Sequence, residues 1–205
     1  KKNPLIIHYH NFEDACKDVE FNELFFKLYN KYCPGPITFI LRKNKHSKIS
    51  NYATAKLDTV AIRFPQHKVI RKILRNTDFP IAMPSANLSS GLSPVNAIDV
   101  FDEFKKKLKI IINAGSSKIG IESTVVDLTG KPKILRPGII SSMDIKKCLK
   151  LNFSRKVSKV IAPGMLKKHY SPGIPILFGN KPEKADHAYI VFGKKYKNKN
   201  NYLNL

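Results

Sequence analysis

Seven polar positions recur where apolar runs end or begin: Thr59, Arg63, Ser85, Asn87, Ser93, Ser123 and Arg136. Hydroxyls and amides offer single directed hydrogen bonds, and a guanidinium offers a planar fork matched to carboxylate or phosphate. Such a set clamps anions and positions them for reaction without attacking them covalently. No protein nucleophile is indicated. Ser85 and Ser123 lie outside any Gly-x-Ser-x-Gly setting, and no His-Glu-x-x-His, zinc-type Cys/His spacing or Gly-x-x-x-x-Gly-Lys loop occurs. No catalytic group and no protein metal ligand is therefore assigned. A surface salt bridge is the alternative for each arginine taken singly.

Several of these residues fall in one stretch, PIAMPSANLSSGLSP at 80–94. Ile81 to Met83 reads as the end of a buried strand. Ser93-Pro94 reads as a helix start, Ser being a favoured N-cap and Pro a favoured first helical residue. The periodicity Val95, Ile98, Phe101, Phe104, Leu108 continues it as a helix. A strand, a small polar loop and a helix N-terminus direct N–H groups and hydroxyls at one spot, which suits a phosphate. An ordinary loop before a capped helix has the same pattern.

The elements that must hold these groups are short. Leu5 to His8, Ile37 to Leu41, Thr59 to Phe64 and the buried run Lys109 to Ile112 are expected strands. Ser123 to Leu128 and Lys133 to Leu135 read as a hairpin around Gly130-Lys131-Pro132. Helices are expected over 12–32, with a core stripe at Phe21, Leu24, Phe25, Leu28, Tyr29 and Tyr32, and over 66–76, with Val69, Ile70, Ile73 and Leu74 inward. A last helix is capped by Ser142 and carries Ile145, Cys148 and Leu149 inward. Arg42 to Lys56 reads as an exposed basic loop. The expected fold is α/β (α+β), a twisted mixed sheet flanked by helices. Residues 1–151 form this domain, 152–175 a linker, and 176–205 the start of a small α/β domain. There, Ile176 to Phe178 and Ala188 to Phe192 are strand-like, and the tail Lys194 to Asn204 is expected to be solvated or disordered.

Charge narrows the partners. The 37 Lys+Arg against 15 Asp+Glu leave +22, a field that attracts nucleotides, RNA or other polyanions. A lysine-rich composition spread along the chain accounts for the same number. Cys16, Cys33 and Cys148 are too scattered for a disulfide framework, which fits a reducing, cytoplasmic compartment. No apolar run reaches the ~18 residues of a membrane helix.

The ordered motifs KKNPLIIH, PGPITFIL, TVAIRFP, MPSANLSSGLSP, GIESTVVD, ILRPG and APGMLKKHYSP resemble the YrdC/TsaC-like threonylcarbamoyl-AMP synthases, in their two-domain form. The resemblance runs from Asn3 to about Pro172. It implies a YrdC-like fold and a reaction in which L-threonine and bicarbonate give N-carboxythreonine. This then attacks the α-phosphate of ATP, with Mg²⁺ accompanying the nucleotide, to give threonylcarbamoyl-AMP and pyrophosphate. A separate threonylcarbamoyl transferase complex then modifies position 37 of tRNA. It implies ATP contacts from Asn3, Thr59, Ser85, Ser93 and Arg136, and support of the adenylate loop by Asn87. Pro163, His169 and Tyr170 would form a lid on the nucleotide. Threonine would be held by His8, Arg63 and Ser123, with the backbone at Met83 closing its pocket.

The family pattern also carries a Thr/Tyr-containing motif and a Lys-x-Arg motif ahead of the first of these, and neither occurs in the chain. The expectation is a domain incomplete at its N-terminal end. Alone, such a chain would be an inactive fragment or would pair with a separately encoded piece. The competing expectations are a non-catalytic double-stranded RNA or tRNA-binding module and an unrelated nucleotide-dependent acyltransferase.

Overall fold

The computed structural model describes residues 3–89, 91–151, 188–191 and 202–204. The chain divides into two units, Lys1–Pro172 and Gly173–Leu205. The first contains β1 (Ile6–His8), α1 (Phe12–Ala15), β2 (Val19–Glu20), α2 (Glu23–Tyr32), β3 (Ile37–Lys43), β4 (Thr59–Arg63), α3 (Lys68–Arg75), β5 (Ile81–Ala82), α4 (Ala97–Phe104), β6 (Thr124–Asp127), β7 (Lys133–Arg136) and α5 (Ser142–Leu149). In the second, β8 (Tyr189–Val191) pairs in parallel with β9 (Tyr202–Asn204).

The first unit is built on a mixed sheet of order β5-β1-β4-β3-β6-β7, with β2 pairing the far end of β3. β1–β4 and β3–β6 are parallel, and the other pairs are antiparallel. β3 is central because Ile37 to Leu41 is an unbroken run that buries on both faces. One face carries the main core. Ile7, Phe39, Val60, Ile62 and Val126 pack there with Phe25 and Leu28 of α2 and Ile145 and Leu149 of α5. Phe25 is the hub: its ring lies 4.3 Å from Phe21, 4.9 Å from Phe39 and 5.3 Å from Tyr29. The opposite face has a small apolar cluster, Ile6, Ile40, Ala61 and Val125. Its polar continuation is described below.

The sheet and the α2 and α5 faces follow the expected pattern; several local features do not. The 12–32 helix is two helices. The Asn11 side chain accepts from Asp14 N and starts α1. Asn22 accepts from Phe25 N and starts α2, while its amide donates to the Leu128 carbonyl at 2.9 Å. Between them, Val19 and Glu20 pair with Lys43 and Arg42. The 42–56 segment is partly structured. β3 runs on through Lys43, and the buried Asp18 carboxylate accepts from Ser47 Oγ and Lys48 N. Along α3 only Leu74 is buried, and Val69 is exposed. α5 starts from Ser141, whose hydroxyl accepts from Asp144 N, and not from Ser142.

Four corrections fall in the 80–94 stretch or just after it. β5 is a two-residue edge strand, half-buried at Ile81 and exposed at Ala82. Asn96 and not Ser93 caps the following helix, through a reciprocal capping box with Asp99. That helix ends at Phe104 and buries no residue, with Ile98 and Phe101 exposed. Lys109 to Ile112 is no strand, and Ile110 and Ile112 are exposed, because no strand among the described residues offers them a ladder. In the second unit, Tyr202–Asn204 is a strand within the expected tail, and its Leu203 is exposed. The linker 152–175, the run Ile176 to Phe178, and the lid residues Pro163, His169 and Tyr170 lie outside the described residues.

Candidate active site

The register of the sheet aligns one row across its strands: Ile81, His8, Arg63, Thr38, Val125 and Arg136. Partners in adjacent strands share a face. The row therefore extends the face of Ile6, Ile40, Ala61 and Val125 into a polar end. Sequence alone did not single out Thr38 beyond its place at the start of a strand.

Hydrogen bonds knit this end together. Ser123 Oγ lies 2.7 Å from Thr38 Oγ1. Arg136 donates from Nε to the Ser123 carbonyl at 3.0 Å and from Nη2 to Ser123 Oγ at 2.9 Å. Its Nη1 is ion-paired with Glu122 Oε2. Ser93 Oγ donates to Glu122 Oε1 at 2.9 Å. Arg63 Nε donates to the Gly35 carbonyl at 3.4 Å. Thr38, Ser123, His8 and Arg136 are all buried. Gly138 sets the packing behind them: a Cβ there would stand 2.5 Å from Thr124 N and 2.6 Å from the Glu122 carbonyl. Only glycine lets the turn after β7 lie against residues 122–124.

Electrostatics define each role. Burial, and then the charge of Arg63, lowers the His8 pKa from 6.5 to about 4, so this imidazole is neutral near pH 7. Its Nδ1 lies 3.0 Å from the Ile6 carbonyl, and the Ile81 backbone is a second partner, so a neutral ring donates to one of two carbonyls. Burial, followed by the neighbouring Arg136, lowers the Arg63 pKa, and Glu122 opposes this. Burial pushes the Cys33 thiol up to about 12 despite Arg63 nearby, so it is no thiolate. The site thus holds two guanidiniums, hydroxyls, a neutral imidazole and one carboxylate, an arrangement suited to anions.

The remaining expected residues lie outside this hydrogen-bonded cluster. Thr59 lies on the Arg63 side of β4 but four residues away, ~13 Å along the strand. Asn3 precedes β1, which runs parallel to β4, and so lies toward the Thr59 end. The Asn3 Oδ1 is buried without a partner among the described residues. Met83 N donates to the Ile6 carbonyl at 3.1 Å, fixing the chain beside β1 as it leaves β5. Ser85 is exposed in the loop that follows. Asn87 Nδ2 donates to the carbonyls of Leu88 at 2.7 Å and Gly91 at 3.0 Å and holds that loop. Glu103 of α4 ties it from the other side by accepting from Leu88 N. The row thus gathers His8, Arg63, Ser93, Ser123 and Arg136, whereas Asn3 and Thr59 mark the far end.

Two small cavities lie elsewhere. One of about 90 Å³ reaches His8 from the side of His10, Leu74 and Phe79, and one of about 190 Å³ borders Asn22 and Arg42. Among the described residues no cluster of three His, Cys, Asp or Glu side chains could hold a metal ion, and no helix is long and apolar enough to cross a membrane.

Residues 1–138 match the Sua5/YciO/YrdC family, described as "Telomere recombination". The chain belongs to the Sua5/YciO/YrdC family. Residues 140–204 match a second family, described as "Threonylcarbamoyl-AMP synthase, C-terminal domain". The chain is 37% identical to the threonylcarbamoyl-AMP synthase of Pyrococcus abyssi over 188 residues, which is 88% of this chain and 55% of that protein. It is 35% identical to the Bacillus subtilis threonylcarbamoyl-AMP synthase over 195 residues, 90% of this chain and 56% of that protein. The crystal structure of P. abyssi Sua5 complexed with L-threonine superposes with a TM-score of 0.77 at 35% identity, covering 94% of this chain and 54% of that one. The chain spans about half the length of these curated relatives. In this Sua5/YciO/YrdC sheet, Glu122 and Thr38 are site residues that sequence reading left without a role. Glu122 stood inside a quoted motif, but the partners of both residues lie 14 to 85 positions away, and no local signal points to them.

Proposed function

We propose that the protein is an L-threonylcarbamoyladenylate synthase, a nucleotidyltransferase that uses L-threonine, bicarbonate and ATP. The observation that carries the reading is the row His8–Arg63–Thr38–Arg136 with Ser123. It is a cationic and hydroxylic wall with no nucleophile of its own, on a fold whose relative binds threonine. Arg63 would take the threonine carboxylate, with His8 and Ser123 beside it and the Met83 backbone closing the pocket. Neutral His8 adds no charge and serves as a hydrogen-bond partner only.

The threonine amine adds to bicarbonate with loss of water to give the carbamate. A carbamate oxygen then attacks the α-phosphorus, and the bond to the β-phosphate oxygen breaks, releasing pyrophosphate. Arg136 and Ser93 would stabilise charge on the phosphates. Asn3, Thr59, Ser85 and the loop held by Asn87 would receive the nucleoside. The ~13 Å between Thr59 and Arg63 is comparable with the span of an adenylate. Pro163, His169 and Tyr170 would cover it. Mg²⁺ would belong with the nucleotide's own phosphates: among the described residues no cluster of three His, Cys, Asp or Glu side chains could hold a metal ion, so the residues fit a cation held by phosphate and water.

The product would pass to a threonylcarbamoyl transferase complex acting on tRNA. The reading places the protein in a reducing, cytoplasmic compartment, which agrees with the free cysteines Cys16, Cys33 and Cys148. The test is pyrophosphate release by the full-length protein with ATP, Mg²⁺, threonine and bicarbonate. Release that needs both threonine and bicarbonate and is lost in Arg63→Ala supports it. Salt-sensitive binding of double-stranded RNA or tRNA without such release would favour a non-catalytic RNA-binding module, consistent with the +22 charge.

A further inference from the structure

Ser93 and Arg136, the two groups assigned to the nucleotide's phosphates, share one partner. Glu122 Oε1 accepts from Ser93 Oγ at 2.9 Å, and Oε2 pairs with Arg136 Nη1. A phosphate oxygen needs the same O–H and N–H donors. The two claims exclude each other, because a carboxylate and a phosphate on one guanidinium edge are like charges in contact.

Glu122 is not needed to aim Arg136. The guanidinium is already held by Nε on the Ser123 carbonyl and Nη2 on Ser123 Oγ. Ser123 is itself fixed by Thr38 and is 2% exposed. Glu122, by contrast, is the last residue of a loose segment. Residues 112–121 are all exposed, and Gly120 adopts φ +69° with nothing within 4 Å of a Cβ placed there. The Glu122 side chain is 20% exposed against 9% for Arg136. Its side chain can therefore turn outward while the backbone at 122–124 stays packed on Gly138 and the bonds between Arg136 and Ser123 stay made.

We propose that Glu122 is an internal competitor of the nucleotide's phosphates: its carboxylate holds Ser93 and Arg136 until a phosphate displaces it, and reclaims them as pyrophosphate leaves. The proposal rests on the assignment of Ser93 and Arg136 to ATP given above. It makes Glu122 a determinant of both nucleotide affinity and product release.

The test uses the full-length protein and its Glu122→Gln variant, which keeps the shape and removes the charge. Inorganic pyrophosphate and ATP are titrated by calorimetry. Glu122→Gln is expected to bind pyrophosphate roughly fivefold or more tightly, the low end of ordinary coupling between sites. It is also expected to suffer stronger product inhibition by pyrophosphate. Unchanged or weaker binding overturns the proposal, weaker binding being what a residue that orients Arg136 would give. A second variant covers a failure of the first: Glu122→Ala is expected to bind pyrophosphate at least as tightly as Glu122→Gln, and unchanged or weaker binding overturns the proposal. Threonine-dependent pyrophosphate release, measured on the same preparations, reports the synthase reading separately. Tighter anion binding without turnover upholds the competitor and rejects the synthase. Turnover with unaltered anion affinity does the reverse.

Discussion

His8 should make the folded protein acid-sensitive over a window set by its own burial. Its pKa falls from 6.5 to about 4 on folding, mainly because the ring is buried and then because Arg63 stands beside it. Between those values the unfolded chain binds a proton that the folded chain refuses, so stability rises with pH across the window and is lost as pH falls through it. At about 1.4 kcal/mol per pKa unit, the shift is worth about 3 kcal/mol, fully present above pH 6.5 and gone near pH 4. Urea unfolding of wild type and His8→Asn at about pH 7, 5.5 and 4 isolates this contribution from every carboxylate that titrates alongside, since both proteins share those groups. The wild type should lose about 3 kcal/mol more than the variant between the extremes. Stability curves that stay parallel within about 0.5 kcal/mol would refute the reasoning, because they would mean that folding leaves the His8 pKa at its ordinary 6.5.

Other substitutions separate core from site. Phe25→Ala removes the hub of the aromatic cluster and should cost about 3–5 kcal/mol in urea unfolding. Gly138→Ala drives a methyl against Thr124 N and the Glu122 carbonyl, and should cost about 1–3 kcal/mol together with weakened ATP binding by calorimetry. Arg63→Lys keeps the charge but loses the fork. It should raise the KM for threonine roughly tenfold or more while leaving ATP affinity near wild type, as measured by pyrophosphate release and calorimetry.

The sheet was legible because its signals are local. The apolar runs at Ile37 and Thr59, and the hairpin turn at Gly130-Lys131-Pro132, sit on their final elements. So does the Phe25/Leu28 stripe, whose partners are simply the nearest apolar face. Lys109 to Ile112 shows the limit of that logic: an apolar run becomes a strand only if another strand offers it a ladder, and no local window reports one. The Ser93-Pro94 cap failed for a related reason. Asn96 forms a reciprocal box with Asp99 that Ser93 lacks, and Ser93 satisfies its hydroxyl on Glu122, 29 residues away. Thr38 and Glu122 gain their roles only once β3, β6 and β7 are in register, which is information about pairing and not about composition.

That row has a consequence for how the protein reaches its working state. His8, Arg63, Thr38 and Arg136 come from four different strands, and β3 meets β6 across more than eighty residues of chain. A slip of one residue at any pairing would turn a side chain to the opposite surface. No half-assembled intermediate can then present the complete anion wall. Ligand rescue during folding would act only on molecules that have finished the long-range pairing, and substrate would be a selective reporter of chains with the correct register.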